Sequence, residues 1–198
     1  MNTAIIVGNG KSRSNYDLNR TRNGYDKMHV FGCNALYREF YPDFLVAIDE
    51  EIISEIEQSS FPNNACIFPP EEERYEPKEM YGVGSYKQCP RSNAGMVAMQ
   101  QAIKQKCKKL ICIGFDFLIV DEKQATDNVF AGTNAYGPQT KASLSDTRNR
   151  MKFLSFLIEK NPNVNFVFVY PANTMSYMPD SKNVDCIDYT VLEEEYNL

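Results

Sequence analysis

Short apolar runs, most of them continuously apolar, recur along the chain, and all but one are halted by glycine, proline or an acid. They predict strands at Ala4–Val7, Val30–Cys33, Phe44–Ile48, Ala65–Phe68, Leu110–Ile113 and Asn165–Tyr170. Strands that are apolar at every position, not every second one, are buried on both faces. Between them lie helical patterns. Ala35–Phe40 is short, and Glu50–Gln58 opens with acids that suit a helix N-terminus. A helix over about 93–107 carries Met96, Met99, Ala102, Ile103 and Cys107 on one face. Another runs from Ser145 to Lys160, with Met151, Leu154, Leu157 and Ile158 as its stripe, and Asn161-Pro162 stops it. Alternation of this kind predicts an α/β, Rossmann-like domain: a mostly parallel sheet of about six strands with helices on both faces.

Residues 1–198 thus read as a single Rossmann-like domain, with three segments outside the alternation. Residues 71–90 and 120–142 read as inserted loops, the second as a lid, and residues 172–198 as an irregular tail. Glu71-Glu72-Glu73 reads as a solvated run. Lys+Arg number 21 against 26 Asp+Glu, a net charge of −5, which disfavours a nucleic-acid partner. No apolar run approaches the length needed to span a membrane, and the first residues lack the basic and long apolar regions of a signal peptide. The six cysteines, at 33, 66, 89, 107, 112 and 186, form no CxxC pair, and there is one histidine, His29. A zinc site is therefore not expected, and buried thiols in a reducing, cytoplasmic setting are.

The sharpest chemical signal follows the first strand: Ile5-Ile6-Val7-Gly8-Asn9-Gly10-Lys11-Ser12. Two glycines there let backbone approach a phosphate, with N–H groups forming an anion nest and Lys11, Ser12 and Arg13 adding donors. A P-loop is excluded, because its first glycine would fall on Ile5 inside the strand. A dinucleotide fingerprint would want its third glycine where Arg13 stands. Ligands of open α/β sheets bind outside the carboxyl ends of the strands. Those ends supply Gly8, Asn9, Gly10, Cys33, Asn34, Asp49, Gly114, Asp116 and Phe117, and Arg91, Ser92, Asn93, Ala94 and Gly95 precede the long helix.

Four segments occur in order: Ile5–Ser12, Val30–Tyr37, Arg91–Met96 and Leu110–Phe117. Together they resemble the bacterial sialyltransferases of glycosyltransferase family forty-two, over about residues 3–120 and onward from Tyr136. The 6-hydroxymethylpterin diphosphokinase-like proteins are related, sharing a Gly-x-Gly loop and a Gly-x-Asp-Phe-like strand end. The resemblance implies a glycosyltransferase that binds a CMP-sugar without metal or other cofactor. It implies that Gly8, Asn9 and Gly10 approach the phosphate, beside the donors of Lys11 and Ser12, and that Asn34 and Asp49 lie near the donor sugar or phosphate. Arg91, Asn93 and Gly95 would face the sugar, and Gly114, Asp116 and Phe117 the cytosine and ribose. Tyr136 and Arg91 are the catalytic candidates. The family's paired hydroxyl residues are replaced here by Asn93-Ala94, and its lid histidine falls near Gln139. Weak activity, independent of His29, is the expectation. The alternatives are an ATP- and magnesium-dependent diphosphotransferase, with Asp49 and Asp116 as metal ligands, and a non-catalytic nucleotide-binding accessory protein. The acceptor is not named by the sequence, and a homo-oligomer is compatible with it.

Overall fold

The computed structural model describes residues 3–23, 28–120, 128–138 and 144–198. Seven strands form one parallel sheet: β1 (Thr3–Val7), β2 (His29–Cys33), β3 (Phe44–Val46), β4 (Cys66–Ile67), β5 (Lys109–Ile113), β6 (Asn165–Tyr170) and β7 (Val184–Asp188). Their order is β4-β3-β2-β1-β5-β6-β7, every pairing being parallel. The helices are α1 (Glu50–Gln58), α2 (Ala94–Lys104), α3 (Leu144–Lys160) and α4 (Tyr189–Tyr196).

Side chains of consecutive strand residues point to opposite faces, and both faces are packed. Ala4 and Ile6 of β1, with Leu110 and Cys112 of β5, join Met96 and Met99 of α2 and Leu154 and Ile158 of α3. Ile5 and Val7, with Ile111 and Ile113, join Ile52 and Ile56 of α1, Leu36 of the 3₁₀ turn Asn34–Arg38, and Leu192 of α4. All of these are buried. This accounts for strands that read as unbroken apolar runs, and it confirms the α/β, Rossmann-like reading.

The tail corrects the expectation of irregular structure. β7 extends the sheet beside β6, in register from Phe166↔Val184 to Tyr170↔Asp188, and α4 follows at once. The Asp188 side chain caps α4 by accepting from the N–H groups of Thr190 and Val191 at 2.8 and 3.0 Å. Val-Asp-Cys-Ile-Asp is an edge strand, half exposed, so it lacks the apolar run that marks the inner strands. Residues 71–90 hold three 3₁₀ turns and no α-helix or strand. The proposed lid at 120–142 lies outside the described residues at 121–127 and 139–142, which includes Gln139. Among the described residues, no helix is long and apolar enough to cross a membrane.

Candidate functional site

The chain winds outward from β1 in one direction through β2 to β4, and in the other through β5 to β7. The winding reverses at β1, and the carboxyl ends of β1, β2 and β5 gather with the start of α2 around a crevice at that edge of the sheet. A cavity of about 390 Å³ occupies this place. It is lined by Gly8, Asn9, Gly10, Asn34, Asp49, Asn93, Gly95, Gly114, Asp116, Phe117 and Tyr136 from the expected set, and by Cys33, Ser92 and Ala94 beside them. Lys11, Ser12 and Arg91 are not in the lining. Phe115, Asn128, Thr147 and Arg150 complete it.

The glycine loop works differently from the expected phosphate cradle. The Gly8 N–H donates to the Ile113 carbonyl at 2.8 Å, and the Gly10 N–H to the Gly114 carbonyl at 3.0 Å. The Ser12 N–H and hydroxyl donate to the two carboxylate oxygens of Asp116 at 2.9 and 2.5 Å. The nest thus already holds an anion, the Asp116 side chain. Burial pushes the pKa of Asp116 up, and the donors of Ser12 and the Lys11 N–H oppose this. The glycines serve close packing: a Cβ on Gly8 would stand 2.5 Å from the Gly114 carbonyl oxygen, and one on Gly10 would meet the Asp116 carboxylate. Gly114 itself has φ +75°, a conformation that favours glycine. Lys11 is exposed, and Arg13 is buried under the loop, its Nε donating to the Gly8 carbonyl at 2.7 Å.

Asn34 closes the end of β2 at φ +47°, a left-handed conformation that asparagine tolerates better than most residues. Its side chain bridges two strand ends. Oδ1 accepts from the Ile48 N–H at 3.3 Å, and Nδ2 donates to Asp49 at 2.5 Å. Asp49 is the N-cap residue of α1 by position, yet its side chain makes no cap bond. It is turned into the cleft instead, as an exposed carboxylate oriented by Asn34. Beside it, burial pushes the Cys33 thiol up to about 12, which leaves no thiolate for nucleophilic work. Burial also raises the Tyr136 pKa above its ordinary value, with Cys33 and Asp49 adding to the effect. Tyr136 therefore remains a protonated donor at neutral pH. Arg91 donates to the Ile48 carbonyl at 2.7 Å and stacks its guanidinium over Tyr75. It ties the approach to α2 onto the end of β3 and does not face the cavity.

The segment 128–138 lies over the loop and brings Asn128 and Tyr136 to the cleft. The Val129 N–H donates to the Asn9 carbonyl at 2.9 Å, and Gly10 bridges Asn128. A second clamp holds it to α1. Arg38 donates to both Glu55 oxygens at 2.6 Å, to Thr133 Oγ1 at 2.8 Å and to the Asn134 carbonyl at 3.0 Å. Hydrogen bonds from Arg38, with Tyr37 and Asn134, hold the Glu55 carboxyl at about 2, below its ordinary 4.5. A depressed carboxylate pKa stabilises the fold above the ordinary value, and that stability drains as the pH falls from 4.5 towards 2. Urea unfolding from pH 6 to pH 3 should cost the wild type roughly 1 kcal/mol more than Glu55→Gln, the shift being discounted for solvent screening. Parallel losses in the two proteins would remove this clamp from the account.

His29 opens β2 at the amino edge of the sheet, opposite the cleft, with Asp43 3.9 Å away. No protein family and no curated protein matches the chain. Among solved structures, UDP-glucose 4-epimerase is similar at 10% identity and a TM-score of 0.31, the match covering 85% of this chain and 50% of that one. The chain therefore spans about half the length of that epimerase.

Proposed function

We propose that the protein is a sialyltransferase-like glycosyltransferase that holds a CMP-sugar in the cleft between β1 and β5. One observation carries this reading: the four segments on which the resemblance rests, spread over more than a hundred residues, each contribute to the lining of one cavity. Its 390 Å³ is in the range of small-ligand sites, and its lining is amide-rich, with Asn9, Asn34, Asn93 and Asn128 suited to hydroxyls and a base edge. Phe117, half-buried, offers an aromatic surface.

In this reading the bond between the anomeric carbon and the CMP phosphate breaks as the acceptor oxygen attacks that carbon. Asp49 takes the acceptor's proton, its oxygen kept in place by Asn34. The electron pair leaves with the phosphate, and the Tyr136 hydroxyl is available to donate to it. Asp116 is unsuited to the base role, because Ser12 holds both its oxygens. The same two bonds count against Asp116 as a magnesium ligand in the diphosphotransferase alternative. The test is turnover of CMP-sialic acid, by transfer or hydrolysis, in the wild type and in His29→Ala across pH 5 to 9. CMP release equal in both proteins is expected. Release lost in His29→Ala, or no release at all with ATP and magnesium turned over instead, would overturn the reading.

A further inference from the structure

Most donors of the Gly-rich loop are already taken: the Gly8 and Gly10 N–H groups by the Ile113 and Gly114 carbonyls, and those of Ser12 by Asp116. Another part of the lining has donors to spare. α2 begins there, with Asn93 capping it by accepting from the Met96 N–H at 2.8 Å. That bond leaves the N–H groups of Ala94 and Gly95, both in the lining, with no acceptor inside the helix. Ser92, just before the cap, also lines the cleft. It is only 9% exposed, and its hydroxyl has no hydrogen-bond partner among the described residues. A buried hydroxyl without a partner is uncommon unless something else fills the position.

To the same lining α3 contributes Thr147 and Arg150, three residues apart and on one face of the helix. Among the described residues, Arg150 makes no hydrogen bond and no ion pair within 4 Å. The charges that act on it are Asp146 and Glu76, and they offset only part of the effect of burial, which pulls its pKa down. A guanidinium stays charged regardless. Arg150 is only partly buried, yet a partly desolvated cation with no partner is still unfavourable to folding, and it is the arrangement expected where a ligand supplies the partner.

We infer that Arg150 and Ser92, facing the first turn of α2, form the anion subsite of the cleft and receive the phosphate of its ligand. The inference rests on the cleft being a ligand site, as in the reading above, and does not require that the ligand be a cytidine nucleotide. A phosphate fits this set better than a single hydroxyl would. Its oxygens can accept from a planar guanidinium, a hydroxyl and helix N-terminal N–H groups at once.

The experiment is calorimetric titration of inorganic phosphate, CMP and cytidine into the wild type, Arg150→Gln and Ser92→Ala, with melting temperatures of the unliganded proteins. Phosphate and CMP should bind the wild type in a salt-sensitive way. Arg150→Gln should weaken both by roughly 10- to 100-fold and leave cytidine unchanged, since a charge-assisted hydrogen bond is lost. Ser92→Ala should weaken phosphate by about 3- to 10-fold. Arg150→Met should raise the melting temperature of the empty protein while abolishing the preference for CMP over cytidine. A residue with a merely structural role would not give these opposite signs. Phosphate bound by the wild type and lost in Arg150→Gln, with no CMP preference, would keep the subsite and defeat the CMP-sugar reading. CMP bound with equal affinity in both proteins would defeat the subsite and leave that reading standing. A wild type that binds neither phosphate nor CMP above cytidine would overturn the inference. If Arg150→Gln does not fold, Ser92→Ala and Arg150→Met carry the same outcomes.

Discussion

Gly8→Ala should lower the melting temperature by about 10 °C. Its Cβ would press on the Gly114 carbonyl oxygen at 2.5 Å, and on the Gly114 carbonyl carbon at 3.1 Å. Both are backbone atoms of the adjoining loop, held by the Gly10 N–H on the Gly114 carbonyl and the Gly8 N–H on the Ile113 carbonyl beside it, so no side chain can swing away. Overpacking of this kind costs about 3 kcal/mol, and in a chain of this size each kcal/mol is worth about 2–4 °C. Gly10→Ala should act in the same direction by driving Asp116 off Ser12. Lys11→Ala should change little, because an exposed lysine contributes little. The sequence alone suggests the reverse: glycines that matter to a phosphate and little to folding. Differential scanning calorimetry decides between them. A Gly8→Ala protein that melts within 2–3 °C of the wild type would show that the loop is not packed against Gly114 in this way.

The second large effect belongs to Asp49. As the exposed carboxylate of the cleft, directed by Asn34 and free of the helix cap it could have made, it is the group placed to accept a proton. Asp49→Asn should reduce turnover of the CMP-sugar by about 10²–10⁴ while CMP affinity changes by less than about 3-fold. A base acts on the transition state and not on the bound nucleotide, so kcat falls and the dissociation constant does not. His29→Ala, at the other edge of the sheet, should leave both unchanged. Loss of CMP affinity in Asp49→Asn with turnover per bound donor intact would assign Asp49 to donor binding.

What the sequence discloses and what it hides follow from the same physics. The inner strands were legible because burial on both faces leaves an unbroken apolar run, as in Ile5-Ile6-Val7 and Phe166–Tyr170. α1 was legible to the residue, since Ile52, Ile53 and Ile56 sit behind two acids. β7 was not: an edge strand with exposed Asp185 and Cys186 has no such run. α4 shows three consecutive glutamates and turns only one fully buried residue, Leu192, inward. The strand ends gave most of the cleft, because a parallel sheet must gather them on one edge. The direction of the loop's donors was hidden. Gly-Asn-Gly-Lys-Ser describes a turn equally well whether its N–H groups hold a phosphate or Asp116. Arg150 was hidden too. It stands immediately before Met151, the start of the apolar stripe of α3, where an arginine reads as solvated. Only the approach of α3 to the start of α2 brings it into the cleft.

The cleft is proposed as a site for a cytidine nucleotide. Thermal shift with CMP, CDP, CTP, UMP, AMP and ATP, each with and without magnesium, tests it directly. A ligand that binds only the folded chain raises the melting temperature in proportion to its occupancy. CMP should give the largest rise among the monophosphates, equal with and without magnesium. A rise with ATP only when magnesium is present, with CMP leaving the melting temperature unmoved, would contradict it.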